Sequence, residues 1–428
     1  MGKKRTLRWM RLDNAAKIYP AARRRNWSNV FRLSATLTEE VDQAVLQSAL
    51  DVTVLRFPSM AARLRRGAFW YYLQELEQAP RVREEYSYPL TPMSKEEVSA
   101  CAIRVIAWKN RIAVEYFHSL TDGNGALVFL KTLTAEYLQQ KYGIAIANTH
   151  GILDRTQPPS EQELEDSFLK YAAPVAASRA ERTAWHLSGT PDSGNNLICF
   201  SFSAEQLLEK AHEYDVTATV FLCAAMIDAL QNMQKDQIPE RKKRKPIRVL
   251  IPVNLRKLFP SKTLRNFALY TTPEILPKLG DYGFEEICAI IKNRMAVDID
   301  AKQMSMKIAT NVDSERLLAV KLMPLFIKNA VMKAIFNTVG ETKSCLTMSN
   351  LGAVKLPEEM ARYVERLDFI LGVQASAPYN CGVVSYDGTV RVNFIRNIKE
   401  AELERQFFRV LQQHGICVQV QSAGGERN

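Results

Sequence analysis

Histidine and cysteine are scarce in this chain, and neither is arranged to hold a metal. Five histidines and seven cysteines are scattered over 428 residues. The cysteines (Cys101, Cys199, Cys223, Cys288, Cys345, Cys381 and Cys417) stand singly, odd in number and mostly in apolar runs. The absence of any CxxC pair leaves a zinc or redox site without support, and a reducing, cytoplasmic setting is expected rather than a disulfide framework. His150, His186, His212 and His414 lack partners at metal-ligand spacing and read as structural or surface residues. No apolar run approaches the length of a membrane helix. The basic start, Met1 to Thr6, is not followed by an apolar signal core. It fits the short myristoylation pattern, but a solvated basic arm is the plainer reading. Internal repeats and long low-complexity tracts are lacking too.

What is there suits a folded globular chain of two comparable parts. Its length exceeds what one small core organises. Hydrophobic residues make up 47% and charged residues 24%, which removes disordered and fibrous classes. The formal net charge of +11 suits an anionic partner, although its sign cannot choose among nucleic acid, membrane and a phosphorylated small molecule. The run Arg241 to Lys245 lacks interleaved aromatics and accompanies no nucleic-acid-binding motif, so nucleic acid is not expected.

The order of elements reads as mixed α/β. Asn29 to Leu37 alternates as a strand, and Thr38 is placed to cap a helix from Glu39 towards Leu50. Strands are expected at Phe69 to Leu73, Cys101 to Ala107 and Arg111 to Phe117, the last two joined as a hairpin. Apolar residues recur at helical spacing from Gly125 to about Gln140. A polar connection runs from about Asn148 to Glu165, and the boundary between halves is expected within residues 150 to 190. This divides the chain into parts of about 1–165 and 180–428.

The second part begins with a strand at Leu197 to Phe202 and a capping box formed by Ser203 and Gln206. Helices follow at Thr219 to Met233, Phe284 to Val297, Leu317 to Thr338 and Glu400 to His414. Strands are expected at Ile247 to Val253, Ser344 to Ser349, Leu367 to Val373, and across the Asp387-Gly388 turn, at Gly382 to Tyr386 and Thr389 to Ile395. Such a series is not the regular βαβ alternation of a doubly wound sheet.

The segment that carries chemistry is Tyr116-Phe-His118-Ser-Leu-Thr-Asp122-Gly-Asn-Gly125, set where a strand ends and a helix begins. A histidine on that turn suits a general base, because imidazole titrates near neutrality. Asp122 and the turn glycines would fix the loop. Gly123-Asn-Gly125 imitates a dinucleotide fingerprint, but Val128 stands where the third glycine belongs.

The His-x-x-x-Asp-Gly pattern resembles the signature of the chloramphenicol-acetyltransferase and condensation-domain superfamily, in particular its alcohol-acetyltransferase-like branch. Pro252-Val-Asn-Leu-Arg256, Thr263-Leu-Arg-Asn-Phe267 and Ser349-Asn-Leu-Gly352 extend the likeness along the second half. The resemblance implies two similar α/β subdomains forming a V around an active-site tunnel. It implies an acyl group, acetyl or another short one, moving from coenzyme A to a small acceptor, an alcohol first. His118 would be the general base. Asp122 would be structural and paired with Arg56, Arg256 or Arg265, with Gly123 in the same loop. Asn266, Ser349, Asn350 and Gly352 would line the donor channel. No resident cofactor is implied, only acyl-CoA as donor.

Position 117 is Phe, where peptide condensation domains carry a further histidine, and no carrier-protein or adenylation segment is attached. Both features favour a stand-alone transferase. The open alternatives are transfer from an acyl-carrier protein docked on the Arg241 to Lys245 run, and a non-catalytic relative that keeps the channel as a binding surface.

Overall fold

The computed structural model describes residues 7–22, 29–85, 89–175, 183–316, 320, 322–335, 343–373 and 377–422. Strands β1 (Trp9–Arg11), β3 (Ala62–Arg66) and β4 (Tyr71–Glu75) form a small antiparallel sheet in the order β1-β4-β3. Strands β2 (Val30–Leu37), β5 (Arg83–Glu84), β6 (Ile103–Trp108) and β7 (Arg111–Phe117) join β13 (Val364–Ile370) in a five-stranded sheet ordered β13-β2-β7-β6-β5. A strand from late in the chain thus pairs with one from its beginning, Phe369 facing Leu33.

The largest sheet comes from the second half. It contains β8 (Pro191–Ser203), β9 (Ile247–Asn254), β10 (Ala268–Thr271), β12 (Leu346–Val354), β14 (Tyr379–Tyr386), β15 (Thr389–Ile398) and β16 (Gln419–Ser422), with β11 (Glu274–Ile275) paired to β9. Only β12 runs parallel to its neighbours there, so the sheet is mixed, as expected for a chain without βαβ alternation.

The expected elements mostly stand within a few residues of their anticipated positions, and the differences have local causes. The second helix begins at Gln43, not Glu39: the Asp42 carboxylate accepts from the amides of Ala44 and Val45 at 2.8 and 3.1 Å. Residues before it are held instead by Val41 N donating to the Lys109 carbonyl at 2.8 Å. The strand expected from Phe69 begins at Tyr71, because Gly67 N donates to the Trp70 carbonyl and closes a turn. The Ser203 hydroxyl caps through Gln206 N at 3.3 Å, but Gln206 Oε1 accepts from Cys417 N, so the reciprocal half of the box is absent.

Asp387 and Gly388 have φ of 47° and 69°, the left-handed pair that a two-residue hairpin needs. The helix expected over 317–338 is described only at Leu325–Ile335, following Pro324; its remaining stretches lie largely outside the described residues. Short strands β1 and β16 and the helix Ala301–Arg316 were not anticipated.

For the site, the decisive feature is the end of β7. Its alternate residues are buried in the core shared with the helix Gly123–Tyr142, and Tyr116 Oη donates to the Ala126 carbonyl at 3.0 Å. The His118 amide continues the ladder by donating to the Asn29 carbonyl at 2.9 Å. The helix Gly123–Tyr142 packs on β2 and β7, and the helix Gln43–Arg56 packs on that helix. The imidazole is therefore carried on backbone fixed from both sides.

Candidate active site

Asp122 is the N-cap of the helix Gly123–Tyr142. Its Oδ1 accepts from the amides of Asn124 and Gly125, both at 3.1 Å, so the chain turns sharply after His118. Its Oδ2 faces the other half of the chain, accepting from Arg256 Nη1 at 2.7 Å and from Phe267 N at 2.8 Å. Four donors on one carboxylate leave it no lone pair for the imidazole. Asp122 ties the turn after His118 to the second half of the chain.

Of the three arginines that the sequence left open, Arg256 is the partner. It also donates to the carbonyls of Thr263 at 2.8 Å and Arg265 at 2.5 Å, which locks the segment between β9 and β10 against the motif. Arg56 lies elsewhere, holding Glu163 bidentately at 2.5 and 2.6 Å. Arg265 turns toward the N-terminal segment, bonding the Leu164 carbonyl at 3.2 Å and the Arg11 carbonyl. The contact is close: Thr121 Oγ1 donates to the Leu264 carbonyl at 2.6 Å. A Cβ on Gly125 would lie 2.1 Å from that same carbonyl oxygen, so only glycine fits there.

The His118 ring is half-buried and stacks on Tyr19, centroids 4.3 Å apart and planes within 13°. Phe31 tilts against it at 4.9 Å. Nδ1 lies 3.2 Å from Asn266 Oδ1. Nε2 has no side-chain hydrogen-bond partner among the described residues, while the backbone of His118 and of Thr121 also bonds the ring. Burial pushes the imidazole pKa below its ordinary 6.5, offset in part by its own carbonyl and by Asp122, so the neutral ring is favoured. A neutral imidazole with one nitrogen held and the other open is equipped to take a proton.

Asn266, expected in the donor channel, hydrogen-bonds the imidazole. Its Nδ2 donates to the His118 carbonyl at 3.1 Å and to Asp13 Oδ2 at 3.2 Å. Sequence reading missed Asp13 and Tyr19. Asp13 is fully buried, accepts from Ala16 N at 2.8 Å, and lies 3.7 Å from Arg265. Burial raises its pKa to about 6 despite the guanidinium. Little local marks Asp13 for the site, since the partners that tie it there, Asn266 and Arg265, lie beyond position 260.

Ser349, Asn350 and Gly352 stand on β12 and make no hydrogen bond to His118, Asp122 or Asn266. Asn350 Nδ2 donates to Thr219 Oγ1 at 3.0 Å, and Gly352 N donates back to Asn350 Oδ1 at 2.8 Å. Leu351 between them reaches the motif, with its Cδ2 2.9 Å from where a Cβ on Gly123 would stand. The basic run is not uniformly solvated either: Arg244 is buried against Asp281 at 2.9 Å and the Ile238 carbonyl at 3.0 Å, whereas Arg241, Lys242, Lys243 and Lys245 are exposed. A surface cleft of about 360 Å³ lined by Gln47, Asp51, Leu55 and Arg81 shares no residue with this site. Among the described residues no cluster of His, Cys, Asp and Glu is arranged to hold a metal ion, and no single helix is long and apolar enough to cross a membrane.

Solved structures resemble this chain over nearly its whole length. Polyketide synthase associated protein 5 from Mycobacterium tuberculosis is 15% identical with a TM-score of 0.61, covering 97% of this chain and 99% of its own. Trichothecene 15-O-acetyltransferase from Fusarium sporotrichioides is 12% identical with a TM-score of 0.60, covering 97% and 96%. An F. graminearum protein solved with ethyl coenzyme A is 11% identical with a TM-score of 0.64, covering 98% and 100%. No protein-family model matches the sequence, and no curated protein matches it significantly. At such identities the likeness shows the fold: a mixed α/β, chloramphenicol-acetyltransferase-like architecture.

Proposed function

We propose that the chain is an acyltransferase that moves a short acyl group from coenzyme A to the hydroxyl of a small acceptor, with His118 as general base. The observation that carries this reading is the asymmetry of one ring, with Nδ1 held by the Asn266 side chain and no side-chain partner on Nε2 among the described residues. Nε2 removes the acceptor proton as oxygen attacks the thioester carbonyl. The tetrahedral intermediate collapses, the carbon–sulfur bond breaks, and the proton passes to the departing thiolate. Asp122 contributes by fixing the loop and not as a relay, since its lone pairs are occupied. Ser349, Asn350 and Gly352 are assigned to the donor side on the sequence resemblance, with Asn350 as the candidate oxyanion donor.

Support for coenzyme A comes from the F. graminearum neighbour solved with its ethyl derivative, and support for a hydroxyl acceptor from the Fusarium 15-O-acetyltransferase. Acyl-carrier protein as donor is the second reading, favoured by the polyketide-synthase-associated neighbour and by the exposed Arg241 and Lys242. Incubation of purified protein with acetyl-CoA and an alcohol panel, following free thiol, tests the first. Thiol release dependent on the acceptor supports it. Release only from a carrier-bound donor moves the assignment to the second reading, and release from neither leaves a binding protein.

A further inference from the structure

The orientation of the Asn266 amide bears on which nitrogen of His118 carries the proton, beside the backbone of His118 and Thr121 that also bonds the ring. Its nitrogen faces two acceptors, the Asp13 carboxylate at 3.2 Å and the His118 carbonyl at 3.1 Å. Its oxygen faces His118 Nδ1 at 3.2 Å. Rotating the amide by half a turn would set oxygen against a carboxylate and a carbonyl, neither of which donates when the acid is ionised. The amide is therefore held one way round, and its oxygen only accepts. Nδ1 must then supply the hydrogen, which leaves the lone pair of the neutral ring on Nε2.

We infer that Asp13 and Asn266 are positioning residues that select the Nδ1–H tautomer of His118 and so place the basic lone pair on its open nitrogen. The inference rests on the reading of His118 as the base, and it extends that reading to an Asp–Asn pair not evident in the motif. Its physical cost is visible in the fold. Asp13 is buried with one guanidinium at 3.7 Å, and it also feels Asp166, which raises its pKa further. Apolar packing at that position would be cheaper than a carboxylate with so little compensation. Asp13 Oδ1 is committed to Ala16 N at 2.8 Å, so the Oδ2 contact to Asn266 is the one that faces the site. The charged and titratable groups about this unit are Arg265, Asp166, Asp122 and Tyr19.

Nitrogen-15 NMR of histidine-labelled full-length protein reads the tautomer directly, with the His118 signals assigned by their loss in His118→Gln. In the wild-type protein at pH 8, Nδ1 should carry the hydrogen and Nε2 should show the shift of an unprotonated nitrogen. A wild-type ring protonated on Nε2 overturns the inference without any variant. Asp13→Asn and Asn266→Ala should shift the ring toward a tautomer mixture and lower kcat by roughly a hundredfold with KM little changed. Both variants keeping the wild-type tautomer and kcat would also overturn it. A wild-type Nδ1–H ring in a protein whose His118→Ala variant turns over normally would sustain the tautomer inference while removing the base, so the two failures are distinguishable.

Discussion

Asp122 and Arg256, 134 positions apart in the chain, meet at 2.7 Å with both side chains at or below 10% exposure. This pair ties the turn after His118 to the segment that supplies Asn266. A buried pair costs desolvation to form, and removing one partner leaves a buried charge alone. Arg256→Ala is therefore expected to lose about 3–5 kcal/mol of stability, read from denaturant unfolding. Arg256→Lys should recover only part of it, because an ammonium cannot also reach the carbonyls of Thr263 and Arg265 in fork geometry. Wild-type stability in Arg256→Ala would mean that the tie contributes nothing.

The two motif glycines should differ in tolerance. A Cβ at Gly125 meets the Leu264 carbonyl at 2.1 Å and Thr121 Oγ1 at 2.2 Å, backbone on one side and a committed hydroxyl on the other. At Gly123 the nearest atom is the tip of the Leu351 side chain at 2.9 Å, which is free to rotate away. Gly125→Ala should lower the melting temperature markedly, and Gly123→Ala by little. Equal melting temperatures would contradict the close approach.

Asp13 gives stability a distinctive pH dependence. Its pKa rises on folding from 3.8 to about 6, so within that window the native state binds more protons than the unfolded one. Stability from this residue is present below pH 4 and falls by about 3 kcal/mol as pH rises through 6. Asp13→Asn should accordingly melt at or above the wild-type temperature at pH 8 while losing activity. At pH 4 it should show no such gain. Destabilisation at pH 8 would show that the carboxylate contributes net stability instead.

Turnover should depend on pH in the opposite sense. His118 must be neutral to accept a proton, and burial moves its pKa below 6.5. The acid limb of kcat/KM should therefore lie below 6.5, with activity full above it and lost as pH falls. Folding stability from the same ring also falls with decreasing pH, since the unfolded chain binds the proton first. A limb at or above 7 would point to a different titrating group.

Much of this site was legible in the sequence, but only its local part. The strand ending at Phe117, the turn and the helix starting at Gly123 follow from periodicity and a capping aspartate, which are properties of adjacent residues. The arginine that meets Asp122 was not readable: Arg56, Arg256 and Arg265 are alike in type, and only tertiary packing chooses Arg256. The contact of Asn266 with the imidazole was not readable, because a side-chain amide has no periodicity to report which way it turns. Asp13 has one local contact, to Ala16 N, which only marks a turn; what ties it to the site comes from Asn266 and Arg265. Likewise β13 looks like any strand of the second half, yet it pairs with β2.

The most direct measurement is thiol release from acetyl-CoA in the presence of an alcohol, comparing wild-type protein with His118→Ala. The substitution should lower kcat by at least about a hundredfold, the low end of what a positioned acid–base group contributes, while the melting curve stays close to wild type. A His118→Ala protein that folds and turns over at the wild-type rate would show that the imidazole at the end of β7 is not the base.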